Sequence, residues 1–264
     1  MNKMLVMVFS FLICSCKEVP SQEVKAQSSN IAQTEAQSNS YPGNLSKVFD
    51  THGGLDQWRE YKTLSFEFPT PKFTEKQTID LYNRMDKITT PSYSLGYDGE
   101  QIWLSDTEDT YEGDPKFYHN LMFYFYAMPF LLADSGIHYA PAAPLDVDGA
   151  EYPGFKISYD SGVGASAKDE YYLHYNPDTF QMVWLGYTVT YFSNEVSDKI
   201  SWIRYGNWTK VDEVLLPLTL TWYTMENGKI GAPRKTVAFQ NITLSLTSKG
   251  KAFYAKPEDA EFVD

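Results

Sequence analysis

The residues of this chain best placed to do chemistry are in its first sixteen positions. Met1-Asn2-Lys3 is followed by an apolar run from Met4 to Ile13 and then by Cys14-Ser15-Cys16. One basic residue, a short apolar stretch and a small residue before a cut site have the form of a secretory signal. An aliphatic residue three positions before a cysteine, with a small residue directly before it, is the pattern of a bacterial lipobox. It predicts cleavage before Cys16, whose sulfur would carry a lipid. An uncleaved anchor is disfavoured, because the run is far short of the ~20 residues that cross a bilayer.

The remaining candidates have bland readings that outweigh the sharp ones. Cys14 and Cys16 are the only cysteines of the 264 residues, so the sequence offers no disulfide, thiolate metal site or cysteine nucleophile to the mature chain. The four histidines, His52, His119, His138 and His174, form no His-x-x-x-His pair, and no metal or cofactor is expected. His52-Gly53-Gly54 reads as a helix end followed by a chain reversal, with His52 complementing the helix dipole. Asp146-Val147-Asp148-Gly149 begins like a calcium loop but lacks the later ligands, and reads as a turn. Gly162-Val163-Gly164 lacks the third glycine and following helix of a phosphate cradle and reads as a loop. Asp160, Asp169 and Glu170 are the one acidic cluster that an envelope polymer hydrolase could use, although their surroundings are loop-like.

The elements that would position a site are mainly β. Lys17–Pro42 is rich in Ser, Gln, Ala and Glu and cannot bury enough surface to fold, so it reads as a disordered tether of roughly 28 Å r.m.s. span. The folded part is expected over 43–264 as one domain. Leu45, Val48 and Phe49 have helical spacing, and Leu55–Tyr61, with Trp58, reads as a second short helix. The period then drops to two: Leu64, Phe66 and Phe68 alternate with Thr63, Ser65 and Glu67. Strands are predicted at 77–84, 92–97, 101–105, 154–159, 169–175, 182–192, 199–208, 216–226 and 234–246. Asp98-Gly99, Asn176–Thr179 and Glu226–Lys229 supply turns. Such a series is a meandering antiparallel sheet, without the alternation of a parallel α/β fold.

One segment breaks the pattern. Lys116–Asp134 reads KFYHNLMFYFYAMPFLLAD, apolar or aromatic throughout from Leu121 to Ala133. Apolar all round predicts a helix buried on every side, kinked or split at Pro129, as a plug in the concave face of the sheet. Its candidate ligand-lining residues are Phe117, Leu121, Met122, Phe123, Phe125, Met128, Phe130 and Leu131, with Trp184 from the sheet. Met122, Met128 and Met182 would let a lining repack around an irregular ligand.

Composition agrees with a large core: 43% of residues are hydrophobic, with 20 Tyr, 16 Phe and 6 Trp. The net charge of −12 argues against nucleic acid, which needs clustered Lys and Arg.

A lipobox leader, two short N-terminal helices and an antiparallel sheet with a helical plug resemble the LolA-like fold, an incomplete β-barrel used by periplasmic lipoprotein carriers. The chain is more closely similar to a family of Bacteroidota lipoproteins placed near that fold. The resemblance is carried by His52–Trp58, Phe117–Leu132, Asp160–Gly164, Gln181–Tyr191 and Asp198–Tyr205. That family has no established activity, so the resemblance implies no catalytic residue. It implies an envelope protein, anchored by lipid in the outer membrane, that binds a lipid or acyl chain rather than transforming one. LolA itself is a soluble shuttle; a tethered chain favours a fixed acceptor or binder. A sixteen-carbon chain buried in such a cavity would contribute roughly 10 kcal/mol before ordering costs. The rival expectation is a scaffolding lipoprotein whose core is solid. The sequence leaves oligomeric state open.

Overall fold

The computed structural model describes residues 41–161, 168–193 and 195–263. Cys16 with its leader, the 17–40 part of the expected tether, and Gly162-Val163-Gly164 lie outside the described residues. Ser40–Asp264 forms a compact unit.

The chain enters through α1 (Gly43–Thr51) and α2 (Leu55–Glu60). A five-strand meander follows: β1 (Thr63–Pro69), β2 (Thr74–Asp80), β3 (Asp86–Thr89), β4 (Ser94–Tyr97) and β5 (Ile102–Ser105). Next come α3 (Pro115–Tyr118), α4 (Leu121–Tyr126) and a 3-10 turn over Phe130–Ala133. A longer meander runs through β6 (Ile137–Val147), β7 (Ala150–Tyr159), β8 (Tyr171–Tyr175), β9 (Met182–Tyr187), β10 (Ser201–Val211), β11 (Val214–Glu226) and β12 (Lys229–Ala238). The chain closes with β13 (Gln240–Ser245), α5 (Lys251–Tyr254) and β14 (Glu261–Phe262).

The strands form two seven-stranded antiparallel sheets, ordered β13-β1-β2-β3-β4-β5-β14 and β12-β11-β10-β9-β8-β7-β6. Each has two edges, so neither closes into a barrel. The mainly β, open antiparallel architecture read from the sequence holds, while β3, β6 and β14 lie outside the predicted strands, β2 ends at Asp80 and not at 84, and β9 ends at Tyr187 and not at 192. The strand predicted over 234–246 is β12 and β13 together, divided at Phe239. The Phe239 amide still donates to the Leu218 carbonyl (2.8 Å), as a continuation of β12 would, while Gln240 already pairs with Glu67 of β1. Phe239 is buried, so one apolar residue joins the sheets at a corner.

A common core fills the space between the sheets. Leu64, Phe66 and Phe68 face it from β1, and Ile157, Leu173, Leu185, Ile203 and Leu220 face it from the second sheet. The alternation of β1 arises because successive side chains point to opposite faces.

The 116–134 segment lies in that core, broken into three pieces rather than running as one helix. Asp114 caps α3 by accepting from the Lys116 amide (2.9 Å). The Ala127 amide ends α4 on Phe123, and Pro129, which has no amide proton to donate, precedes the 3-10 turn. The Tyr205 hydroxyl of β10 donates to the Phe125 carbonyl (2.6 Å), satisfying an acceptor left over at the end of α4. Tyr126 packs against Phe66 of the first sheet (4.5 Å between ring centroids), and Phe125 against Trp222 of the second (5.9 Å).

Candidate functional site

The hollow worth considering lies where α3 and α4 leave the sheets incompletely filled. It has a volume of about 320 Å³. Phe117, Leu121, Met122 and Phe125 form its helical wall, and Phe68, Tyr171, Tyr187, Trp222 and Val237 its sheet walls. Its polar groups are few: Tyr118, Asp169, Thr188, Arg234 and Lys235. This is the usual composition of a small-molecule site, an apolar body with a few convergent polar groups.

Two buried carboxylates fix the helical wall. Tyr118 at the end of α3 donates its hydroxyl to Glu75 of β2 (2.9 Å), which also accepts from Gln77 Nε2 (2.7 Å). His119 Nδ1 sits 2.7 Å from Asp86 Oδ2 at the start of β3. Burial pushes both carboxyls upward, Asp86 to about 6, because charge is disfavoured away from water. Tyr118 of α3 and His119 just after it thus reach buried carboxylates of the first sheet, and Phe117 is left for the hollow.

At the lip, Phe117 meets Tyr191 and Phe192 with ring centroids 5.1 and 4.9 Å away. Phe192 is 71% exposed and Val189 41%, so the rim after β9 presents apolar surface to solvent.

Candidates read from the sequence separate into three groups. Phe117, Leu121, Met122 and Phe125 line the hollow together. Phe123, Met128, Phe130 and Leu131 are buried but fill the solid core; Phe130 stacks on Trp58 (4.5 Å, 4° between planes). Trp184 is placed elsewhere. Leu185 beside it faces the core, so Trp184 points to the opposite face of the sheet, against Tyr223 (5.0 Å) and under Arg204 (5.8 Å).

The His52-Gly53-Gly54 motif is a joint. His52 is fully buried, with Nδ1 2.7 Å from the Val48 carbonyl, and its ring meets Trp208 edge-on. Since a carbonyl only accepts, Nδ1 carries the proton and donates. Burial lowers the His52 pKa to about 4. His52 therefore completes the end of α1 as a neutral donor, not as a charge. Gly53, at φ 108°, passes so close to the β10–β11 hairpin that a Cβ would fall 2.5 Å from the Glu213 carbonyl oxygen.

The acidic candidates are each engaged. Asp160 pairs with His138 (2.6 Å), Glu170 with Lys156 (2.7 Å), and Asp169 accepts from the Thr190 amide (2.7 Å). Asp146–Gly149 is the tight turn of the β6–β7 hairpin, with Asp148 and Gly149 at positive φ. Among the described residues, no group of three or more metal-ligating side chains comes together.

Sequence reasoning missed Arg234 and Lys235. Nothing in their spacing marks them, because their position depends on an irregularity in strand pairing.

Fold and hollow together describe an open two-sheet antiparallel protein with a plugged, partly apolar interior. No protein-family profile matches the chain, and no curated protein matches it. Among solved structures it is similar to a DUF1329 family protein from Desulfovibrio piger, at 11% identity and TM-score 0.48, covering 79% of this chain and 95% of that one. It is also similar to a LolA superfamily protein from Nitrosomonas europaea, at 9% identity and TM-score 0.45, covering 79% and 96%. At these scores and identities the likeness carries no functional argument.

Proposed function

We propose that this protein is a lipid-anchored envelope lipoprotein that holds an apolar chain in the hollow between its sheets, without transforming it. The observation that supports the reading is the division of the plug. Its second half packs solidly, and its first half borders unfilled apolar space. The solid-cored scaffold fits the former but leaves the latter without a use.

The hollow is open to solvent on one side, so its volume sets how much of a ligand it buries. At about 30 Å³ per water-sized group, some ten groups fit. That is a ten-carbon chain or a segment of a longer one, less than the sixteen carbons considered from sequence. Burying ten methylenes contributes about 8 kcal/mol before ordering costs.

Leu121 is half-buried at the hollow's wall, so Leu121→Trp should fill it without disturbing the core. Calorimetric titration with 1-decanol is expected to show binding to the native chain and at least tenfold weaker binding to the variant. Equal affinities, with both chains folded by circular dichroism, would remove the hollow from the account. The anchor has a separate check. Cys16→Ser should move the protein from the membrane to the soluble fraction after cell lysis, and unchanged partitioning would refute lipidation there.

A further inference from the structure

The lip of the hollow carries a charge arrangement that the apolar reading does not use. In the β11–β12 pairing Trp222 opposes Lys235, and the next residue, Tyr223, opposes Pro233. Arg234 is thus the extra residue of a β-bulge. A bulge breaks the alternation of the strand and re-aims a side chain. In a regular strand Arg234 and Lys235 would point to opposite faces; here both border the same hollow. Lys235 Nζ lies over the Trp222 ring at 6.0 Å, which holds its charge beside the apolar wall.

Both side chains are exposed, and among the described residues neither forms an ion pair. Two neighbouring cations at the mouth of an apolar hollow make a local positive charge in a chain of net charge −12. Asp169, the acidic member of the lining, comes from the segment before β8, with β9, β10 and β11 between it and β12. Its carboxylate accepts from the Thr190 amide. Glu75 is within electrostatic reach of Lys235 but is buried under Tyr118 and Gln77, and its burial favours the neutral form.

We infer that the hollow takes a single-chain anionic amphiphile: its tail lies between α4 and the second sheet, and its carboxylate or phosphate head is held by Arg234 and Lys235. This rests on the proposed apolar site and specifies its ligand class. Arg supplies a planar fork that can meet an oxyanion with two hydrogen bonds, and Lys adds a point charge. Both side chains are exposed, so the attraction is screened by water and salt and is strongest at low ionic strength.

The test uses the full-length Cys16→Ser chain and four ten-carbon probes, each titrated calorimetrically at pH 8: decanoate, decyl phosphate, 1-decanol and decyltrimethylammonium. At least one anionic probe is expected to bind about tenfold tighter than decanol at low salt, with an advantage that shrinks as salt screens it. Whichever anion shows the gain identifies the head as carboxylate, phosphate or either. Arg234→Ala/Lys235→Ala should abolish the advantage of the anionic probe over decanol, each measured on the same variant. Equal binding of anionic and neutral probes, preference for the cationic probe, or a gain that survives in the double variant would each overturn the inference while leaving the apolar site standing. If decanol also fails to bind, the apolar site itself falls and this inference with it.

Discussion

His52 shows how a residue that reads as chemistry can serve structure. It lies fully inside the protein with one ring nitrogen on the Val48 carbonyl, and burial holds its pKa near 4 against an ordinary 6.5. The folded state therefore resists protonation while the unfolded chain takes up a proton freely. Its contribution is complete above about pH 6.5 and is lost as pH falls through about 4. A difference of this size corresponds to about 3 kcal/mol. His52→Asn removes the titration, so the stability gap between native and variant should shrink by about that amount from pH 7 to pH 4, measured by urea unfolding. A gap independent of pH would mean that the ring takes up a proton as readily in the folded chain as in the unfolded one, against its burial. The sequence placed His52-Gly53-Gly54 at a chain reversal, because glycine doublets punctuate helices. It did not reveal that Gly53 passes within a clash distance of Glu213, a contact between segments about 160 positions apart.

At the scale of elements, legibility follows burial. Strands with alternating apolar residues, such as β1, are recognisable because one face packs on the core. β6 escaped notice because it is an edge strand containing Pro141 and Pro144 and is mostly exposed, so it shows neither alternation nor an apolar run. Proline is tolerated there because an edge strand leaves one row of amides unpaired. β3 is only four residues and opens on Asp86, whose carboxylate is buried against His119. The plug was legible as an apolar insert but not in its division. The run from Leu121 to Ala133 is apolar throughout, and composition alone cannot distinguish a residue that touches the core from one that borders a void. Arg234 and Lys235 were invisible for a related reason: the bulge that brings them together depends on how β12 pairs with β11, which is a property of the folded sheet.

The described residues form two open sheets joined at Phe239, with a broken helical segment between them, part of which packs in the core and part of which borders a hollow. That asymmetry is the physical basis of the functional reading. A solid core would need no lip of exposed Val189 and Phe192, nor the cations Arg234 and Lys235 beside it. The volume of about 320 Å³ limits how much of a ligand the hollow can bury. The most direct measurement is native mass spectrometry of the full-length Cys16→Ser chain, purified from its own cells without detergent. A discrete added mass that disappears in Leu121→Trp is the expected result, and its value would name the ligand. A bare protein mass that persists after incubation with decanoate, decyl phosphate and decanol would contradict the account and leave the molecule a solid-cored scaffold.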